Sequence, residues 1–178
     1  MEQLQMATLT LHTCTLQPDA ITAKGSVNNF NTVTTWNNIN FRLLLGDMYD
    51  KYDLFNIRLV SIACDDNRIG ELVSGNSASD RIVTVNMSGL NFYNQTYDSS
   101  TNINTSKTVI ATYKLYESFA TFYTNHIATF GKGNDVCNLT IEFNRISDNQ
   151  PVNCAASLDY PQMVFLFNIY GIPRVERK

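Results

Sequence analysis

Apolar residues alternate with Asn and Thr along much of this chain. In residues 36–43, Ile39, Phe41 and Leu43 fall on one side of an extended backbone, and Asn38, Asn40 and Arg42 on the other. The same period of two returns over residues 108–116, 136–144 and 162–170. Successive side chains of a strand point to opposite faces, so this period predicts half-buried β-strands. Strands are expected at 6–16, 34–45, 54–64, 81–87, 108–116, 136–145 and 162–172, with a short run at 20–27 and a bent continuation at 88–97. Between them lie turn signals: Pro18-Asp19, Asp65-Asp66-Asn67, residues 131–135 and residues 147–151. Residues 46–53 break the alternation, and their Asp residues suit turns or a short helical turn. Residues 70–80 read as loop, and 98–106, rich in Ser, Thr and Asn, as a flexible one. Residues 117–130 carry Phe119, Phe122, Tyr123 and Ile127 at spacings that fit either a short helix or a strand.

Eight or nine strands with no βαβ rhythm and no internal repeat disfavour a parallel α/β sheet. The expected fold is all-β: a single antiparallel jelly-roll β-sandwich of about eight strands, spanning residues 1–178 as one domain with short N- and C-terminal arms. An immunoglobulin-like sandwich fits less well, because the Cys–Trp–Cys spacing is missing and the loops are long. Several strands are apolar on both faces. Leu54, Val60 and Ile62 oppose Phe55, Ile57 and Leu59, and Val164 and Leu166 oppose Phe165 and Phe167. A sandwich strand needs only one inward face. The second apolar face is covered by a loop or buried against another subunit.

Composition narrows the function. The chain has 178 residues and a formal net charge of −3, which offers no general attraction for nucleic acid. Charged residues make up 16% of it, against about 25% in ordinary soluble domains, so its surface repels neighbours weakly. No run approaches the roughly 18 apolar residues of a membrane span. The first six residues lack the basic and apolar regions of a secretory signal, so secretion is not expected. Four sequons, at Asn86, Asn94, Asn104 and Asn138, are then expected to go unused. Cys14, Cys64, Cys137 and Cys154 are far apart and form no CxxC pair, which argues against zinc and for reduced thiols.

Candidate chemistry is sparse. His12 sits in an alternating strand and His126 beside the ambiguous segment, and neither accompanies a nucleophile signature. Asp47, Asp50 and Asp53 recur every third residue, without the alternate spacing, central Gly and closing Glu of a calcium loop. No catalytic, cofactor or metal residue is expected. Trp36, Tyr49, Tyr52, Tyr93 and Tyr97 are candidates for stacking on sugars or anchoring an interface. Arg174, Arg177 and Lys178 make the C-terminal tail the most basic stretch, either a solubilising end or an arm for an acidic neighbour.

Residues 36–66 (WNNINFRLLLGDMYDKYDLFNIRLVSIACDD), 138–145 (NLTIEFNR) and 162–173 (QMVFLFNIYGIP) together resemble the small single-jelly-roll capsid proteins of nucleocytoplasmic large DNA viruses. The resemblance covers most of the chain and lies in style and strand order, with no diagnostic short motif. It implies a non-enzymatic penton or minor capsid protein, made in the host cytoplasm and built into the virion. Its partners would be the major capsid protein, other minor capsid proteins and further copies of itself, five of them at a vertex if it is a penton. Neither nucleic acid nor direct membrane insertion is implied. Contacts would come from Trp36, Tyr49, Tyr52, Leu54, Val60, Ile62, Val164, Leu166, Arg174, Arg177 and Lys178. A carbohydrate-binding β-sandwich is the competing expectation, and a cupin-type enzyme a weaker one, since two distant His residues do not make a metal cluster.

Overall fold

The computed structural model describes residues 5–12, 21–23, 29–31, 33–64, 82–93, 97–98, 103–104, 108–114, 119–122, 127–133, 135–146, 149, 153–155 and 163–173. In chain order the elements are β1 (Met6–His12), β2 (Ile21–Ala23), β3 (Asn29–Asn31), β4 (Val33–Asn40), the one-turn helices α1 (Phe41–Leu45) and α2 (Asp47–Lys51), and β5 (Leu54–Cys64). They continue with β6 (Ile82–Ser88), β7 (Asn91–Phe92), β8 (Tyr97–Asp98), β9 (Ile103–Asn104), β10 (Thr108–Lys114), β11 (Phe119–Thr121), β12 (Ala128–Gly131), β13 (Val136–Arg145), β14 (Asn153–Ala155) and β15 (Met163–Ile172). Residues 54–64 and 136–145 form strands over the span their alternation predicts.

Two sheets carry the fold. The first runs β1-β15-β5-β12-β7, with β11 beside β5, and the second runs β10-β6-β13-β4-β2. Two small ribbons pair β14 with β3 and β8 with β9. Every pairing is antiparallel. The protein is an all-β sandwich, as the alternation predicts.

Its core lies between the inner faces. Leu9, Leu11, Phe55, Ile57, Leu59, Phe165, Phe167 and Ile169 point in from the first sheet. Trp36, Val83, Val85, Met87, Leu139, Ile141 and Phe143 point in from the second. Phe165 meets Trp36 edge-on at 5.7 Å between centroids and lies 6.1 Å from Phe143, so three aromatic rings lock the two layers together. Burying each such side chain stabilises the fold by roughly 1.5–3 kcal/mol.

Two expectations are corrected. First, the strand expected over 34–45 stops at Asn40. Asn38 takes a left-handed backbone (φ 58°), and its N–H donates to the Asn138 side chain at 3.0 Å, where the pairing with β13 shifts register. Asn40 then caps a helical turn, its Oδ1 accepting from the Leu43 N–H at 2.9 Å. Phe41 therefore turns inward while Leu43 is 81% exposed, so they do not share a strand face.

Second, Ile62 does not oppose Phe55, Ile57 and Leu59; it is fully buried beside them. Leu59 pairs with Phe167 and Ser61 with the preceding Leu166, leaving Val60 as an extra residue. Such a bulge inserts one position into a strand and resets which residues face in. Within 117–130, which the spacing leaves open between helix and strand, the described residues include two strands, β11 and β12, paired in succession along β5. The helical turn allowed within 46–53 is found as α2. The loop expected at 98–106 includes β9, paired with β8. The loop at 70–80 lies outside the described residues.

Candidate interaction surface

The outer face of the first sheet carries most of the residues that the double apolar pattern singles out. Leu54, Val60, Val164 and Leu166 are all half-buried there. Register explains their grouping: Val164 lies opposite Ala63, Leu166 opposite Ser61, and Ile172 opposite Leu54. Polar rows separate the apolar ones. Thr8, Asn168 and Arg58 align across three strands, and next to them a mixed row sets Tyr170 and Asn56 beside the apolar Met6. Asn56 accepts from the Thr129 hydroxyl at 2.8 Å. Arg58 donates from Nη2 to the Phe122 carbonyl at 3.1 Å, while its Nε is buried without a hydrogen-bond partner. Arg58 is the single Lys, Arg, Asp or Glu in β1, β5 and β15.

The outer face of the second sheet is different. It carries hydroxyl and amide side chains that bond to one another, both across strands and within one. Thr35 and Thr140 share a hydrogen bond at 2.9 Å, and Asn86 donates to the Thr84 hydroxyl at 3.0 Å. Asn86 and Asn144 are 2% exposed, so the first of the four sequons lies in a buried position. Most of these polar groups find partners with so little charge, but the Asn144 Oδ1 is buried without a hydrogen-bond partner.

At one end of the sandwich, α1 and α2 meet the turn between β12 and β13. Tyr49 donates to the Asp135 carboxylate at 2.7 Å and lies 3.1 Å from the Gly133 carbonyl. Arg42 bridges Asp135 and Asp50 at 3.7 and 3.5 Å, and Lys132 stands 4.5 Å over the Tyr49 ring. Burial first, and then the Asp135 carboxylate that holds its proton, push the Tyr49 hydroxyl up to about 12. A cavity of about 290 Å³ opens here, floored by Phe41, Phe55 and Phe130 and rimmed by Asn91, Lys132 and Cys137. Burial raises the Cys137 thiol to about 11, so it stays protonated and unreactive at neutral pH. Tyr93, 65% exposed, does not line the cavity but stands next to Gly131, which does: a side chain at Gly131 would touch its ring.

The remaining candidates are placed as follows. Trp36, Tyr49 and Tyr52 are 2–5% exposed and pack inside the chain, so they offer no outward surface. Tyr52 fits only because residue 171 is Gly, since a Cβ there would overlap the ring. Asp47 and Asp50 are exposed on α2, and Asp50 pairs with Arg42. His126, Arg174, Arg177 and Lys178 lie outside the described residues. Among the described residues no three His, Cys, Asp or Glu side chains gather as a metal site, and no helix is long and apolar enough to cross a membrane. Sequence reasoning missed Leu43 and Met6 as exposed apolar residues, 81% and 53% accessible. The Asn40 cap signal stood in the sequence, hidden by the regular alternation around it. Neither the family models nor the curated proteins compared with the chain gave a match.

Proposed function

We propose that this chain is a virion structural protein, a penton or minor capsid protein that works by repeated contact with its neighbours. The carrying observation is the outer face of the first sheet. Leu54, Val60, Val164 and Leu166 lie half-exposed on strands that hold one charged residue between them. Such a face costs little to desolvate and gains from being covered.

The strand order supports a jelly roll. The layer β1-β15-β5-β12 faces the layer β10-β6-β13-β4, and in each layer strands from early and late in the chain alternate. Two interleaved Greek keys have this order. Capsid proteins, lectins and cupins share that fold, so the surface and not the fold selects among them.

Size-exclusion chromatography with light scattering, together with protein analysis of purified particles, tests the proposal. A higher-order species in solution and presence in particles are expected. A strictly monomeric chain absent from particles would sink it.

One observation favours a second reading. Among the aromatic side chains whose burial is described, Tyr93 is the largely exposed one, and it stands next to Gly131, which lines a cavity with Asn91 and Lys132. A ring with polar groups next to it suits a single sugar. A glycan array decides: binding that disappears in Tyr93→Ala supports this reading, and an empty array removes it.

A further inference from the structure

Among the described residues the first sheet ends at β1, and this edge differs from the others. An unpaired strand edge invites another strand, and proteins blunt it with charge, proline, a bulge or brevity. Among the described residues, the edges at β2, β7 and β11 are two or three residues long. The long edge at β10 has a register shift between Val109 and Ala111 and ends in Lys114. β1 has seven residues, MATLTLH, with no proline and no acid, Lys or Arg. It pairs with β15 residue by residue with no shift. A groove of about 400 Å³ lies between Met6 and Thr8 at the start of this strand and Leu44 and Met48 on the helical turns.

We infer that β1 pairs with the β1 of a second copy of this chain, antiparallel and centred on Leu9. This deepens the assembly reading above and rests on it for the partner's being another copy. The strand itself argues for that partner. A two-fold axis at Leu9 sets Met6 against His12, Ala7 against Leu11, and Thr8 against Thr10. Ala7, Leu9 and Leu11 stay on the core side of both sheets, while Thr8 and Thr10 stay outside, where they are exposed. The pattern is thus self-complementary, as an isologous contact requires. Threonines opposite one another across strands are a favourable pair.

Sedimentation velocity over a concentration series tests the contact with two variants of the full chain. Thr8→Lys with Thr10→Lys sets like charges opposite each other twice and is expected to weaken association at least tenfold. Thr8→Lys with Thr10→Glu sets Lys against Glu twice and is expected to keep it. Both threonines are exposed, so the melting temperature of either variant should match the parent within a few degrees. The contact is overturned if the parent chain is monomeric throughout, if the double Lys variant associates like the parent, or if both variants dissociate alike. An oligomer indifferent to both variants removes this contact and leaves the assembly reading standing. A chain that is monomeric and also absent from particles removes both.

Discussion

At the scale of single residues, two positions carry sharp expectations. Gly89 has φ +102°, and a Cβ there would overlap the Asn138 carbonyl of β13. Gly89→Ala is therefore expected to cost about 2–4 kcal/mol, since it combines a strained backbone with displacement of a strand. The melting temperature should fall by roughly 2–4 °C for each kcal/mol. Tyr49 is the other. Its hydroxyl is raised from 10 to about 12 in the folded chain. Between those values the folded state holds a proton that the unfolded chain has lost, so stability falls as pH rises. The contribution is whole below pH 10 and gone above about 12. Chemical denaturation across this range should show the decline, and Tyr49→Phe should flatten it. Neither role was legible beforehand. The sequence shows Tyr49 as an aromatic in a turn-like stretch, while its partner Asp135 lies 86 positions away. Such a pairing is set by tertiary folding, which a local pattern does not encode. Trp36 shows the same limit: its size suits an interface as well as a core, and only the approach of Phe165 decides.

At the scale of elements, the alternation was a dependable guide where strands pair regularly and misled where one residue breaks the count. β13 and β15 keep an alternating burial over most of their length. β5 does not, because Val60 is the extra residue in its ladder with β15. Strict parity therefore put Ile62 on the wrong face. The bulge gives a test. Deleting Val60 should leave Ile62 facing inward and its partner Phe165 unchanged, so the chain should still unfold in one cooperative transition. Ile62→Lys, which buries a charge, should abolish that transition. Equal damage from both changes would contradict this reading of the bulge. The same reasoning explains α1. Its residues look like a continued strand, yet the left-handed Asn38 and the capping side chain of Asn40 divert the chain.

At the scale of the whole molecule, the low charge bears on how copies would meet. Contacts made by Leu54, Val60, Val164, Leu166 and the neutral edge of β1 hold few ion pairs for salt to screen. Association is expected to change little between 50 mM and 1 M sodium chloride, and to strengthen in sulfate, which favours burial of apolar surface. Light scattering at each salt would check this, and dissociation in high salt would contradict it. The all-β class was readable because period two needs only local sequence. The strand order was not, since pairing partners lie far apart along the chain. That order has a consequence in time. β15, the last of the described strands to be synthesised, lies between β1 and β5 and joins them. A ribosome that has released β1 through β14 has made a layer with its middle missing. Among the described strands β1 then has no neighbour in its sheet, and β5 lacks one side. Folding of that layer must wait for β15, and until then two apolar strands are open to chaperones or to one another.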